Sequence, residues 1–384
     1  MTKIIYADNA ATTQLSPQAF EAMTPFLTVA YGNPSAPYSL GRAAKQALEG
    51  AREKVAAAIG AKPEEIYFTS GGTESDNWAI NAVARLKKSA GHHIISTAVE
   101  HPAVLQPLKL LEGQGYEVTC LPVDRQGHIS LAELQAAIRP DTILITAMTA
   151  NNETGTILPV AAIGSLARQA GLVFHTDAVQ AAGHMPIDVT EMQVDLLSLS
   201  GHKFRGPKGT GVLYIKKGLP LPPHIRGGGQ EWGRRSGTEN VAGALGLAAA
   251  LAAATDNLPA NTKKITAMRD RLIEGVLKIP AARLTGDPVN RLPGIASFVF
   301  EDVEGEPLIL MLDQKGICAA SGSACSSGST EPSHVLLAMG LPYELAYGAL
   351  RLSLSEDNSE EDIDTILATL PQIIERLISI TAKD

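Results

Sequence analysis

Cysteine is scarce in this 384-residue chain, and the three present, Cys120, Cys318 and Cys325, form neither an even disulfide framework nor a four-ligand zinc spacing. A reducing compartment is expected. Positive charge is also in deficit: the formal net charge is −8, which leaves no basic field for nucleic acid or an anionic membrane and favours small-molecule chemistry. The longest apolar stretch, Val241 to Ala254, is alanine-rich and shorter than the ~20 residues a bilayer crossing needs, so it is expected to be a buried helix. Met1 to Ala10 carries an acid, no apolar core and no arginine, unlike a secretory or transit leader, and a cytoplasmic protein is expected. There is no internal repeat and no extended low-complexity segment.

What is abundant is alternation. β-Branched runs at Ile66–Ser70, His93–Thr97, Glu117–Val123, Thr142–Met148, Leu172–Ala178 and Val194–Ser200 are separated by helical stretches such as Leu131–Arg139 and Ala161–Gly171. Strands that are apolar on both faces and joined by helices imply an α/β fold with a mostly parallel sheet. In such sheets ligands sit beyond the carboxyl ends of the strands, and the polar clusters fall there: SGGTESDN, EHPA, NNETG and SGHK. The pattern weakens near Asp256–Thr262, and a new α+β region containing Ser297–Phe300 follows. The expected division is a large domain over 13–257 and a smaller α+β domain formed by 1–12 and 258–384.

Several of these clusters carry chemistry. Ser70 to Ser75 turns from a strand into a helix, where unclaimed N–H groups favour an anion; Gly72 allows close approach and Thr73 adds a hydroxyl, although a plain helix cap has the same form. Lys203 follows a buried strand end, where partial desolvation suits a Schiff-base lysine, against the commoner surface lysine. Asp177 ends the neighbouring strand and could keep a pyridinium nitrogen protonated, with Gln180 beside it for the phenolic oxygen, or it could simply cap a helix. His101 follows another strand and could stack on a ring or relay protons. Asn152 occupies the NNETG loop, and Arg351 is an arginine inside an apolar run that wants a carboxylate, from a substrate or from an internal salt bridge. Cys325 lies in a Ser/Gly-rich stretch, Ser321 to Thr330, that reads as a mobile loop with an exposed nucleophile, whereas Cys120 and Cys318 read as inert buried packing.

These residues resemble the cysteine desulfurases of the NifS/IscS type, class V aminotransferase-like enzymes of the fold-type I pyridoxal-phosphate group. The resemblance runs nearly end to end, through DNAATT at Asp8–Thr13, YGNPS at Tyr31–Ser35, TSGGTESDN at Thr69–Asn77, EHP at Glu100–Pro102, NNETGT at Asn151–Thr156, TDAVQ at Thr176–Gln180, SGHK at Ser200–Lys203, GGGQEWGRRSGT at Gly227–Thr238 and SACSSGSTEPSH at Ser323–His334. It implies a mostly parallel seven-stranded sheet flanked by helices, with pyridoxal 5'-phosphate bound covalently to Lys203. It further implies that Asp177 pairs with the ring nitrogen, Gln180 with the phenolic oxygen, and that His101 stacks on the ring. Gly72, Thr73, Ser200 and His202 would bind the phosphate, and Thr238 would reach the cofactor of a neighbouring subunit in a homodimer. Asn152 and Arg351 would fix the carboxylate of L-cysteine, and Cys325 would accept its sulfur as a persulfide, giving L-alanine and passing the sulfur to an acceptor or iron–sulfur scaffold protein. No metal site is implied, though Cys325 could ligate an iron–sulfur cluster transiently during transfer. The rivals are a related aminotransferase or selenocysteine lyase, which would not need Cys325 to accept sulfur from cysteine, and a silent scaffold of the same fold. The chain departs from the family pattern at Tyr38, often histidine, at Arg205, more usually aromatic or histidine, and in a tail that lacks an aromatic-rich extension.

Overall fold

The computed structural model describes residues 3–322 and 331–381. Twelve strands and twelve α-helices are assigned among them. The first segments are β1 (Ile5–Tyr6), α1 (Pro17–Thr28), α2 (Ser39–Ala58), β2 (Ile66–Thr69) and α3 (Gly72–Leu86). The alternating region continues with β3 (His93–Thr97), α4 (Pro102–Glu112), β4 (Glu117–Leu121), α5 (Leu131–Ala137), β5 (Thr142–Thr146), α6 (Val160–Gln169), β6 (Val173–Asp177), β7 (Leu196–Ser200) and β8 (Gly211–Ile215). After α7 (Val241–Asp256) and α8 (Leu258–Val276) come β9 (Ala282–Leu284), β10 (Ile295–Phe300), α9 (Gly305–Asp313), β11 (Ile317–Cys318), α10 (His334–Ala338), α11 (Tyr343–Tyr347), β12 (Ala349–Ser353) and α12 (Glu360–Thr381).

Seven strands form one sheet in the order β2-β8-β7-β6-β5-β3-β4. Neighbours from β7 through β4 are parallel, and only β8 runs antiparallel to both of its partners, β2 and β7. The six apolar runs of the sequence supply six of these strands; β8 is the seventh, a short Gly-Val-Leu-Tyr-Ile run inserted beside β7. Successive residues of one strand enter different cores, as the pleat requires. Ile95, Ile145, Phe174 and Leu197 pack in one cluster, while Ile94, Leu144, Val173 and Leu196 pack in another with Trp78 and Val83 of α3. Both faces are covered, which is why the strands read as unbroken apolar runs.

α7, the alanine-rich stretch, is buried against the first face and packs on α1 and α2; small side chains let the helices approach closely. No single helix among the described residues is long and apolar enough to cross a membrane. A second sheet, β12-β10-β9, is antiparallel and is backed by α8 and α12 through Leu272, Val276, Phe298, Leu350, Ile366 and Leu370. β1 pairs in parallel with β11, and Ile5 and Ala7 enter this second core.

One expectation is overturned here. Cys120 is exposed rather than packed, because β4 is an edge strand with one neighbour, and its outward-facing residues meet solvent. Cys318 is half-buried in β11. Cys325 and the rest of 323–330 lie outside the described residues.

The segment Gly227–Thr238 is fastened to α2 by a buried ion pair. Arg52 Nη1 and Nη2 donate to the two carboxylate oxygens of Glu231 at 2.8 Å each, and the guanidinium also lies 4.4 Å from the ring centre of Trp232 and 5.0 Å from that of Phe68. Both side chains are only 2% exposed. Glu231 and Trp232 hold left-handed backbone, φ 48° and 53°, a conformation that side chains resist and that this contact network supports. Glu231→Ala is expected to lower the unfolding free energy by about 3–5 kcal/mol, since it leaves the Arg52 charge buried without a partner. The Arg52→Met/Glu231→Leu double variant should lose less, and chemical denaturation of the two chains checks the order.

Candidate active site

The carboxyl ends of β2, β3, β5, β6 and β7 open onto one cavity of about 610 Å³. Its lining brings together Gly72, Thr73, His101, Asn152, Asp177, Gln180, Ser200, His202 and Lys203, nine residues drawn from motifs scattered between positions 72 and 203 of the sequence. Arg351 and Thr238 are not among them. Thr238 is exposed on the segment after β8, and Arg351 is buried behind Asn152, donating from Nη1 to the Asn152 carbonyl at 2.9 Å.

At the β2–α3 turn the backbone demands glycine twice. Gly71 has φ 155° and ψ −179°, a region that side chains avoid, and a Cβ on Gly72 would lie 2.6 Å from Val179 Cγ2. No side chain caps α3 at Gly71, and Gly71, Gly72 and Thr73 all border the cavity. The N-terminal end of this 15-residue helix therefore presents its N–H groups and the positive end of its dipole to the cavity.

Lys203 ends a 3-10 turn that begins directly after β7. Its Nζ donates to the carbonyls of Ala10 at 2.5 Å and Ala11 at 2.9 Å. Gln180 Nε2 donates to the same Ala10 carbonyl at 2.8 Å. The Asp8–Thr13 segment is held over the turn by further bonds: Thr13 Oγ1 to the His202 carbonyl at 2.9 Å, and Thr12 Oγ1 paired with His202 Nδ1 at 3.1 Å. Burial, together with the charges of Lys203 and Lys208, pushes the His202 imidazole down to about 4, so this ring is neutral.

Asp177 stands at the end of β6 with Oδ1 accepting the Val179 N–H at 2.8 Å. This is the bond of a turn rather than of a helix cap, for residues 179–184 form turns and no helix. Burial raises its pKa to about 6, with the Val179 N–H and Lys203 opposing the rise. Asp76 on α3 shares the cavity and is 1% exposed; burial first and the Asp177 charge second push it well above the carboxylate range. Two such acids cannot both ionise cheaply, so Asp76 keeps its proton while Asp177 carries the charge. Glu100, fully buried, accepts from Thr97 Oγ1 at 2.7 Å and the Met148 N–H at 2.9 Å through Oε1, and burial raises it to about 8. Among the described residues, Asp76 Oδ1 and Glu100 Oε2 have no hydrogen-bond partner.

His101 is the N-cap of α4, its Nδ1 accepting the Ala103 N–H at 3.1 Å. Burial, then Lys203 and His334, hold its pKa down to about 4. With Nδ1 used as an acceptor, the neutral ring carries its proton on Nε2. Arg351 is pinned by Asp8, whose Oδ1 accepts from Nη2 at 2.9 Å, so an internal ion pair is present. Glu153, next to Asn152, accepts from Ser333 Oγ, and burial raises it to about 7 against the pull of Ser333 and Arg351.

Sequence reasoning did not single out Glu74, Asp76, Met148, Val179 and Lys208, which also line the cavity, or the Ala10 and Ala11 carbonyls that hold Lys203. Glu74 and Asp76 sit inside TSGGTESDN, and their one- and three-residue spacings from Thr73 on a helix were the available signal. The assembled donors fit pyridoxal phosphate: an uncapped glycine-rich helix end for an anion, a primary amine, and a buried carboxylate whose charge calls for a cationic partner.

Comparison with known proteins agrees with this chemistry. A model of the family described as aminotransferase class-V matches residues 5–366. The cysteine desulfurase IscS of Methanosarcina thermophila is 53% identical over 375 residues, covering 98% of this chain and 93% of that protein. Among solved structures, a NifS-like protein superposes with a TM-score of 0.92 at 38% identity, covering 97% of this chain and 100% of that one. The structure of SspA in complex with cysteine gives a TM-score of 0.82 at 35% identity over 91% of this chain and 99% of that one. The family implies a pyridoxal-phosphate enzyme, and the chain belongs to the class-V aminotransferase family, within it to the cysteine desulfurases.

Proposed function

We propose that this cavity binds pyridoxal 5'-phosphate and L-cysteine, and that the chain converts L-cysteine to L-alanine while Cys325 accepts the sulfur as a persulfide. The observation that carries this is the convergence of Lys203, Asp177 and His101 on one cavity beside an uncapped helix end. When bound, the cofactor supplies an electron sink that makes the Cα proton of an amino acid acidic. Lys203 Nζ would be the attachment point of the cofactor and, as a free amine, the base that takes that proton. The Ala10 and Ala11 carbonyls hold the free amine within reach. Asp177 keeps the ring nitrogen protonated, and protonated Asp76 and Glu100 leave it as the charged member of the acid cluster. Gln180 would serve the phenolic oxygen, His101 the ring face, and Gly72, Thr73, Ser200 and His202 would hold the phosphate.

Asn152 and Arg351 orient the substrate carboxylate. Cys325 Sγ attacks the substrate sulfur: an S–S bond forms, the Cβ–S bond breaks, and Cβ leaves with the electron pair, to be protonated on the way to alanine. The oxidation of Cys325 to the persulfide is balanced by reduction of the substrate carbon, so no outside oxidant is needed. A sulfur-acceptor or iron–sulfur scaffold protein then takes the sulfur. The large unit over 13–257 holds the cofactor, and 1–12 with 258–384 forms the smaller unit that carries Cys325. Exposed Thr238 reaches the phosphate of a second protomer, making a cytoplasmic homodimer.

Cys325→Ser should retain the absorbance of the lysine-bound cofactor and lose sulfide release from L-cysteine in the presence of a thiol reductant; undiminished turnover would refute the assignment. A second expectation concerns pH. The folded chain holds Glu100 protonated up to about 8, against 4.5 for the ordinary carboxylate, so Glu100 costs stability as pH rises from about 4.5 to 8. Glu100→Gln removes this slope, and its stability relative to the native chain should improve by on the order of a few kcal/mol between pH 5 and 9. Denaturation at the two pH values reads the difference.

A further inference from the structure

Glu74 is an awkward neighbour for an anion site. It lies in the first turn of α3, borders the cavity, and its side chain is 9% exposed. A carboxylate there already satisfies the positive end of the helix dipole and would repel a phosphate placed at the same end. Burial opposes its ionisation, but Arg235 and the Ser70 N–H outweigh burial and hold it below the usual carboxylate range, so it is charged at neutral pH. Both oxygens are engaged by Arg235, Nε to Oε1 at 2.9 Å and Nη2 to Oε2 at 3.1 Å, and Oε2 also accepts the Ser70 N–H at 2.8 Å.

Arg235 is itself held in place from its own segment. Glu231, four residues before Arg235, is locked to Arg52, Ser236 Oγ donates to the Gly228 carbonyl at 2.7 Å, and the Gly237 N–H donates to Gln230 Oε1 at 3.1 Å. The guanidinium thus arrives at Glu74 from a braced loop rather than as a wandering surface arginine. A forked, bidentate contact of this kind matches charge and geometry together.

We propose that Arg235 is an internal counter-ion: by neutralising Glu74 it allows the N-terminal end of α3 to accept the doubly charged phosphate of the cofactor, while Glu74 braces the Ser70–Gly72 turn through the Ser70 N–H. This rests on the assignment of the cavity to pyridoxal phosphate. Arg235 acts through Glu74 and is a positioning residue.

The test uses the full chain freed of cofactor, titrated separately with pyridoxal phosphate and with pyridoxal, which lacks the phosphate, and followed by the absorbance of the lysine-bound chromophore. Arg235→Gln should weaken pyridoxal phosphate binding roughly ten-fold or more and pyridoxal binding far less, because only the former meets the uncompensated carboxylate. Adding Glu74→Gln, which keeps an oxygen for the Ser70 N–H, should restore most of the loss. Equal weakening of both ligands, or no restoration in the double variant, would overturn the counter-ion role. Should Arg235→Gln not fold, Glu74→Gln alone must raise the preference for pyridoxal phosphate over pyridoxal, and an unchanged or lowered preference overturns the proposal. Failure of the native chain to bind either ligand would instead overturn the cofactor assignment.

Discussion

The site depends on burying the charge of Asp177 where water cannot stabilise it. A carboxylate at the end of β6, 6% exposed, is costly in isolation, and its environment lowers that cost only in part, through one backbone N–H and the nearby Lys203. The remaining demand for a cation is what suits this position to a protonated ring nitrogen. Asp76 and Glu100 keep their protons close by, so they leave Asp177 as the charged member of the acid cluster. His175, two residues before Asp177 on the same face of β6, contributes no charge: its ring bonds Thr146 and Ser198 at 2.8 and 3.0 Å, and burial holds it neutral, down to about 3. Burial, helped by the neighbouring charges, thus leaves Asp177 as the charged group among Asp76, Glu100 and the imidazoles of His101, His175 and His202.

Sheet topology makes this arrangement available. Parallel strands bring their carboxyl ends, and the loops that follow, to one edge, and β8 enters antiparallel without adding a loop there of its own from a carboxyl end. The segment Asp8–Thr13 then closes over the Lys203 turn. Its carbonyls take the lysine amine, its hydroxyls take His202, and Arg205 follows with left-handed backbone, φ 67°, its N–H bonded to Thr13 Oγ1 at 2.8 Å. Arg205 departs from the family pattern, and its guanidinium pairs with Glu356 at 2.7 Å and Asp357 at 2.8 Å. It couples the lysine turn to the loop after β12 by charge.

How far the sequence discloses this differs by residue. Lys203, Asp177 and His101 could be named because strand-end position and residue type together limit what each can do, and the same holds for the glycines of the β2–α3 turn. β8 was harder, being short and flanked by glycines, with nothing in its alternation to show that it runs opposite to its neighbours. Cys120 was misjudged because a strand pattern does not tell an edge from a centre; only the pairing order places β4 outermost. The Ala10 and Ala11 contacts were beyond reach, since they use backbone carbonyls, which carry no residue signature. Glu74 and Asp76 carry no signature that separates them from other acids early in a helix, and only the fold places them against Arg235 and Asp177.

Arg351 shows why its two sequence readings need not compete. It is 2% exposed and already spends Nη2 on Asp8 and Nη1 on the Asn152 carbonyl, which is the internal ion pair. Its Nε, however, has no hydrogen-bond partner among the described residues. A buried guanidinium N–H without an acceptor costs about 1–3 kcal/mol, and a substrate carboxylate docking beside Asn152 would recover it. Asp8, whose Oδ1 accepts from Nη2, fixes the guanidinium plane and supplies its countercharge. Since Asp8 opens the segment whose Ala10 and Ala11 carbonyls hold Lys203, the substrate's carboxylate and its amine would be met by residues fixed to one short strip of chain.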